Sequence, residues 1–217
     1  MEHTITAIKL QRRNSQRVSI FLDGEYAFGL ARIVAAWLTV GRVLSDDEIE
    51  DYKEQDTLEV AYQSALRFIS YRPRTESEIQ KKLNDKNYSE PVIAQVVERL
   101  QRNGLINDFQ FAQSWVENRS TFRPRSHRAL AFELRQKGVP EDMIEQVIAG
   151  TSDEETLAYQ AAERKAQRFA ELDRRDFRMK LAAFLGRRGF NYEVISPVVD
   201  RLWTENHQAD NDADSST

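Results

Sequence analysis

Two hydrophobic rhythms divide this chain. From residue 4 to residue 28 apolar and polar positions alternate, with Ile5, Ala7 and Leu10, then Val18, Ile20 and Leu22. That period of two is the signature of strands. Asp23-Gly24 followed by Tyr26 and Phe28 predicts a tight hairpin, because both residues accept the positive φ such a turn requires. A polar, basic loop from Gln11 to Arg17 joins the first strand to the second. Residues 29–37 are expected to form a short helix. Ser45-Asp46-Asp47-Glu48 is a capping box, opening an acidic helix to about Gln55.

From Thr57 onward the rhythm becomes helical, and it repeats every 51 residues. Leu83, Leu134 and Leu185 share a column, as do Ile79, Leu130 and Leu181, and Ile93, Ile144 and Ile195. The same spacing aligns Val96, Val147 and Val198, then Val97, Ile148 and Val199. Two further columns are Val92, Met143 and Val194, and Tyr88, Val139 and Phe190. With 41% apolar residues, thirty columns should hold roughly two such triplets by chance. Seven are present, so the chain contains three copies of one unit, an organisation that excludes most enzyme folds. Within a unit, Ile93, Val96, Val97 and Leu100 trace the stripe of a core-facing helix. Thr75-Glu76-Ser77-Glu78 predicts a second capping box, and Ser89-Glu90-Pro91 a fresh helix start. Between these helices stand Asn87, Gly138 and Gly189, residues suited to a left-handed turn.

The expected fold is therefore mainly α: three tandem three-helix repeats in an elongated array, preceded by a small β-hairpin segment. Its divisions are 1–56, 57–106, 107–151, 152–206 and an acidic disordered tail at 207–217. No cysteine is present, which rules out disulfides and thiolate metal sites. No signal peptide or membrane-length apolar run is visible, so a cytoplasmic protein without membrane contact is expected.

Charge changes the picture once it is divided along the chain. The net charge is −4, but Ser45 to Glu59 and the C-terminal run from Glu205 are strongly acidic. Arg119 to Lys137 and Arg164 to Arg188 are strongly basic. Charge is segregated rather than absent. Catalytic signatures are missing: His3, His127 and His207 lie far apart, and no zinc-peptidase, nucleophile-elbow or phosphate-loop motif occurs. A non-enzymatic protein without cofactor or metal is expected.

The suggestive chemistry is cationic. Tyr71-Arg72-Pro73-Arg74-Thr75 and Phe122-Arg123-Pro124-Arg125-Ser126 are one motif, 51 residues apart. Proline ends one helix and the hydroxyl caps the next, so the arginines are held at a junction beside free N–H groups. A guanidinium there can grip a phosphate or carboxylate with two parallel hydrogen bonds. The third unit keeps Arg174 in the first arginine column, with Arg175 in place of the proline. Lys86, Lys137 and Arg188 form another basic column just before the turn, where they also suit a helix C-terminal dipole. The competing reading pairs all these cations with carboxylates of neighbouring helices. Tyr71 and Phe122 adjoin the arginines and are candidate stacking rings. Trp115, Trp203, Phe184 and Phe190 could stack too, but core packing explains them as well.

Taken in order, several segments resemble the signature of the RecX regulatory proteins. They are Ala65-Leu66, then Tyr71 to Ile79 with Leu83, then Leu100-Gln101-Arg102-Asn103-Gly104-Leu105-Ile106-Asn107-Asp108 with Phe111-Ala112 and Trp115-Val116, and finally Phe132 to Val139. The likeness spans about 58–202, and Leu22-Asp23-Gly24-Glu25 resembles the family's variable leading segment. Asn107 stands where an aspartate is common; either residue caps a helix. The resemblance implies a cytoplasmic modulator of the RecA recombinase in DNA repair, recombination and the SOS response. It would act as a monomer, lying along the RecA filament on single-stranded DNA and most often inhibiting ATP hydrolysis and strand exchange. On that reading Arg72, Arg74, Arg123, Arg125 and Arg174 face the filament and its DNA. Two alternatives stay open: a stand-alone helical nucleic-acid-binding module, and a repeat scaffold recognising only protein.

Overall fold

A computed structural model describes the backbone of residues 1–214 and the side chains of residues 1–207. The chain forms two compact units: Met1–Arg74 with Glu78–Ile106, and Thr75–Ser77 with the residues from Asn107 onward.

The first unit opens with a four-stranded antiparallel sheet of order β3-β2-β1-β4. Its strands are β1 (Glu2–Gln11), β2 (Asn14–Leu22), β3 (Glu25–Ala31) and β4 (Val43–Ser45). Asp23 and Gly24 both take positive φ, 50° and 94°, as the predicted hairpin turn demands. Ile5, Ile20, Leu30 and Leu44 are fully buried on one face. The predicted hairpin is present as β2 and β3, and the sheet extends beyond it, because β4 pairs with the start of β1 through His3↔Leu44. One expectation needs correction: residues 29–37 are not a helix, since β3 runs to Ala31 and only a single 3-10 turn, Val34–Trp37, follows.

Helix α1 (Asp46–Ile69) begins on the predicted capping box, with Ser45 Oγ accepting from Glu48 N and Glu48 accepting in return from Ser45 N. It runs unbroken past Gln55, the expected helix end, to Ile69. Ile49 near its start packs on the sheet, while Ala61, Tyr62 and Ala65 pack on α2 (Glu76–Asn84) and α3 (Glu90–Arg102). Between these sites Asp56 receives Arg17, at 2.8 Å, and the Ala31 backbone N–H. One helix thus serves both sheet and repeat.

The second unit carries α4 (Asp108–Phe122), α5 (His127–Gln136) and α6 (Glu141–Ala149), then α7 (Glu154–Gln167), α8 (Arg174–Gly186) and α9 (Tyr192–Asp214). Asn107 caps α4 by accepting from Gln110 N at 2.9 Å. The 51-residue columns become the cores of the three repeats. Leu83, Leu134 and Leu185 are fully buried, as are Ile79, Leu130 and Leu181. The inter-helix turns hold Asn87, Gly138 and Gly189 at φ 60°, 75° and 94°, one left-handed geometry used three times. Helix α9 is assigned through Asp214, past residue 207 where the sequence reading begins its tail. Residues 215–217, and the side chains from 208, lie outside the described residues.

Candidate functional site

The two copies of the aromatic-Arg-Pro-Arg-hydroxyl motif stand just after the end of α1 and at the end of α4, and their arginines meet different surroundings. In the first unit Arg72 forms a two-pronged pair with Glu78, at 2.7 and 3.2 Å, and also donates to the Pro73 carbonyl. Arg74 lies 3.9 Å from the Phe68 ring centroid and 3.7 Å from Glu78. Its Nε is buried without a hydrogen-bond partner. Lys86 donates to Ser64 Oγ at 2.7 Å. Both motif arginines here are held by a carboxylate of their own repeat.

In the second unit the column of Glu78 is occupied by Ala129, so the carboxylate that holds Arg72 has no counterpart. Arg123 is exposed, and among the described residues no carboxylate pairs with its guanidinium. Arg125 is held, at 2.9 Å, by Glu133. Glu133 also receives Arg119 at 2.8 Å and the Trp115 indole N–H at 2.7 Å. Arg188 donates to the Pro124 carbonyl at 2.9 Å and stacks 4.6 Å from the Phe184 centroid. Burial pushes the Arg188 pKa down, and the like charges of Arg125 and Arg123 push the same way. Arg188 is thereby held against the backbone between Arg123 and Arg125.

The basic turn column proves to be a joint as well as a charge. Thr75 is fully buried, and its hydroxyl donates to the Lys137 carbonyl at 2.6 Å. One period later the Ser126 N–H donates to the Arg188 carbonyl at 3.2 Å, while Ser126 Oγ caps α5 by accepting from Ala129 N. Lys137 stands over the Trp115 ring at 5.4 Å. The third unit departs from the pattern: Arg174 is largely exposed at 3.9 Å from Asp200, whose closer partner is Arg178 at 2.6 Å. Arg175 is exposed at the start of α8.

Of the candidate rings, Tyr71 and Phe122 are 80% and 74% exposed, the values that separate them from core aromatics. Trp115 and Trp203 are tied into packing and Phe190 is buried. Sequence reasoning passed over Arg164, Lys165 and Arg168 individually, although the basic run from Arg164 flagged their segment. With Phe122, Phe184 and Arg188 they line an open groove of about 960 Å³ in the second unit. Among the described residues no helix is long and apolar enough to cross a membrane, and no group of three metal-ligating side chains occurs.

Fold and site define a tandem three-helix-repeat protein with an N-terminal antiparallel sheet. The chain belongs to the RecX family of regulatory proteins. The family's N-terminal domain matches residues 3–45, and its first, second and third three-helix domains match 61–100, 107–148 and 153–199. The chain is 32% identical to regulatory protein RecX of Bacillus subtilis (strain 168) over 208 residues, 94% of this chain and 79% of that one. It is 34% identical to regulatory protein RecX of Leuconostoc citreum (strain KM20), covering 95% and 79%. A crystal structure of regulatory protein RecX superposes with a TM-score of 0.72 at 29% identity, covering 91% of this chain and 99% of that one. RecX from Lactobacillus salivarius gives 0.61 at 25% identity, covering 68% and 97%.

Proposed function

We propose that this chain is a non-enzymatic cytoplasmic regulator that binds the RecA filament on single-stranded DNA and lowers its ATPase and strand-exchange activity. The observation that carries the reading is the ordered match of all four RecX domains along the chain. The segregated charge supports it, because separate basic and acidic surfaces let a monomer touch several filament components at once. The filament-facing set is Arg123, with Tyr71, Phe122, Arg174, Arg175, Arg188, Lys86 and Lys137 in support; Arg72, Arg74 and Arg125 contribute mainly to holding their own repeats.

A stand-alone nucleic-acid-binding module is the second reading, favoured by the exposed Arg123 beside the exposed Phe122. The net charge of −4 weighs against tight autonomous binding, since phosphate contacts dominate such affinity. Titrating the protein into a cognate RecA hydrolysing ATP on single-stranded DNA tests the proposal. Inhibition at well below one molecule per RecA protomer supports it; an unchanged rate on confirmed filaments removes ATPase inhibition from the account.

A further inference from the structure

The groove beside Phe122 carries four cations, Arg164, Lys165, Arg168 and Arg188, against one lining carboxylate, Glu163. Among the described residues, no carboxylate pairs with any of the four. Arg164 in the last turn of α7 and Arg168, its C-cap residue with helical backbone, are both exposed, four residues apart and so about 6 Å along the helix axis. That spacing is on the order of the distance between successive phosphates of an extended strand. Lys165 stands 5.2 Å from the Phe169 centroid, which fixes its stem beside them. Phe122 also lines the groove, its ring is 74% exposed, and among the described residues no other ring stacks on it.

We propose that this groove binds a single nucleic-acid strand, its phosphates on Arg164, Lys165 and Arg168 and one base on Phe122. The inference rests on the regulator reading and deepens it, assigning the nucleic-acid contact of the filament to one groove of the second unit. An unpaired cation row suits any polyanion, but an exposed ring flanked by cations favours a strand over an acidic peptide. Every base offers a face to stack, and the phosphates on either side meet the row. Arg188 at the groove wall adds positive potential without needing direct contact.

The test is fluorescence anisotropy of a labelled fifteen-nucleotide oligothymidine with the full chain, at low and at physiological salt. The wild type is expected to bind without sequence preference, with a dissociation constant at or above about 1 μM at physiological salt. Arg164→Ala/Arg168→Ala should weaken binding about tenfold or more and flatten the salt dependence by roughly 1.4 in log–log slope, two single-strand phosphate contacts' worth. Phe122→Leu should lose about fivefold on oligothymidine but nothing on an abasic strand of equal charge. Arg12→Ala/Arg13→Ala, on the exposed β1–β2 turn, should change little. The proposal is overturned if the wild type does not bind at low salt, or if the α7 double variant binds as wild type while folded by circular dichroism. Equal loss in the Arg12/Arg13 control also overturns it. RecA ATPase inhibition by the same variants separates the two ideas. Normal oligonucleotide binding with lost inhibition means the groove meets protein and sinks the groove proposal alone. Groove-dependent binding with no wild-type effect on RecA leaves the groove standing and sinks the regulator reading.

Discussion

The Tyr71–Thr75 and Phe122–Ser126 segments share a motif and a place in the repeat, yet one arginine is closed and its counterpart open. Arg72 is clamped by Glu78, whereas the same column holds Ala129 in the next repeat and Arg123 is exposed. A motif therefore fixes where its cations are held, and a single residue six positions on decides whether they are spent on the fold. The second unit repeats the lesson at Glu133, which holds Arg125 where the first unit has Lys82.

The largest effects that would sharpen this contrast lie in the turns. Gly138→Ala and Gly189→Ala would each force a Cβ into a positive-φ turn, against Ser77 in the first case and Ser126 and Ala129 in the second. Strain and overlap together should cost about 2–4 kcal/mol in urea unfolding. Asn87→Ala, with its left-handed backbone but a side chain already accommodated, should cost only about 1 kcal/mol. Equal costs at the three turns would show that the glycine joints are not closer than the Asn87 turn.

Next comes Glu133→Gln, which leaves Arg119 and Arg125 without their common carboxylate. Because Arg125 is 40% exposed, solvent screens part of the loss, and about 1–3 kcal/mol is expected by the same denaturation. The functional comparison is smaller. Arg123→Ala should weaken binding to RecA filaments a few-fold without shifting the unfolding midpoint. Arg72→Ala should do the reverse, lowering stability by about 0.5–1 kcal/mol with binding unchanged. Glu78→Gln, which releases Arg72, should steepen the salt dependence of binding. Identical binding by the Arg72 and Arg123 variants would break the comparison.

The smallest effect concerns pH in the sheet of the first unit. His3 bonds Asp23 at 2.8 Å, and that bond raises its pKa above the ordinary 6.5. Asp23 is held below its ordinary 3.8 by the Thr4 backbone N–H and by His3. The His3 contribution is complete below pH 6.5 and fades as pH rises through the raised value. The Asp23 contribution is complete above pH 3.8 and fades as pH falls. A plateau of sheet stability between those limits is expected in amide-exchange protection of Ile5 and Leu44, and His3→Gln should remove its alkaline edge.

Much of this architecture was legible because periodic burial leaves a periodic record. The Ile79, Leu83, Ile93 and Val96 columns are buried on helices in all three repeats, and Asn87, Gly138 and Gly189 took the backbone that their residue types allow. Strand β4 left no such record: Val43–Ser45 is too short for alternation to show, and its partner lies some forty residues away. The continuity of α1 was hidden because its two halves pack on different partners, Ile49 on the sheet and Ala61, Tyr62 and Ala65 on the repeat, so the apolar pattern changes along one helix. At the site, the arginine motif was visible but its pairing was not. That depends on which side chain a folded arginine reaches, and the Glu78/Ala129 column has meaning only once Arg72 is seen to reach Glu78. Arg164, Lys165 and Arg168 were visible only as bulk charge until α7 placed them along one groove.

The most direct test is sedimentation of the full chain with RecA filaments preformed on single-stranded DNA with a non-hydrolysable ATP analogue, beside RecA alone and naked DNA. The chain is expected to pellet with the filament far more than with either component, with Arg123→Ala reducing the pelleted fraction and Arg72→Ala leaving it unchanged. A chain that stays in the supernatant with intact filaments, or pellets equally with naked DNA, would contradict the regulator reading.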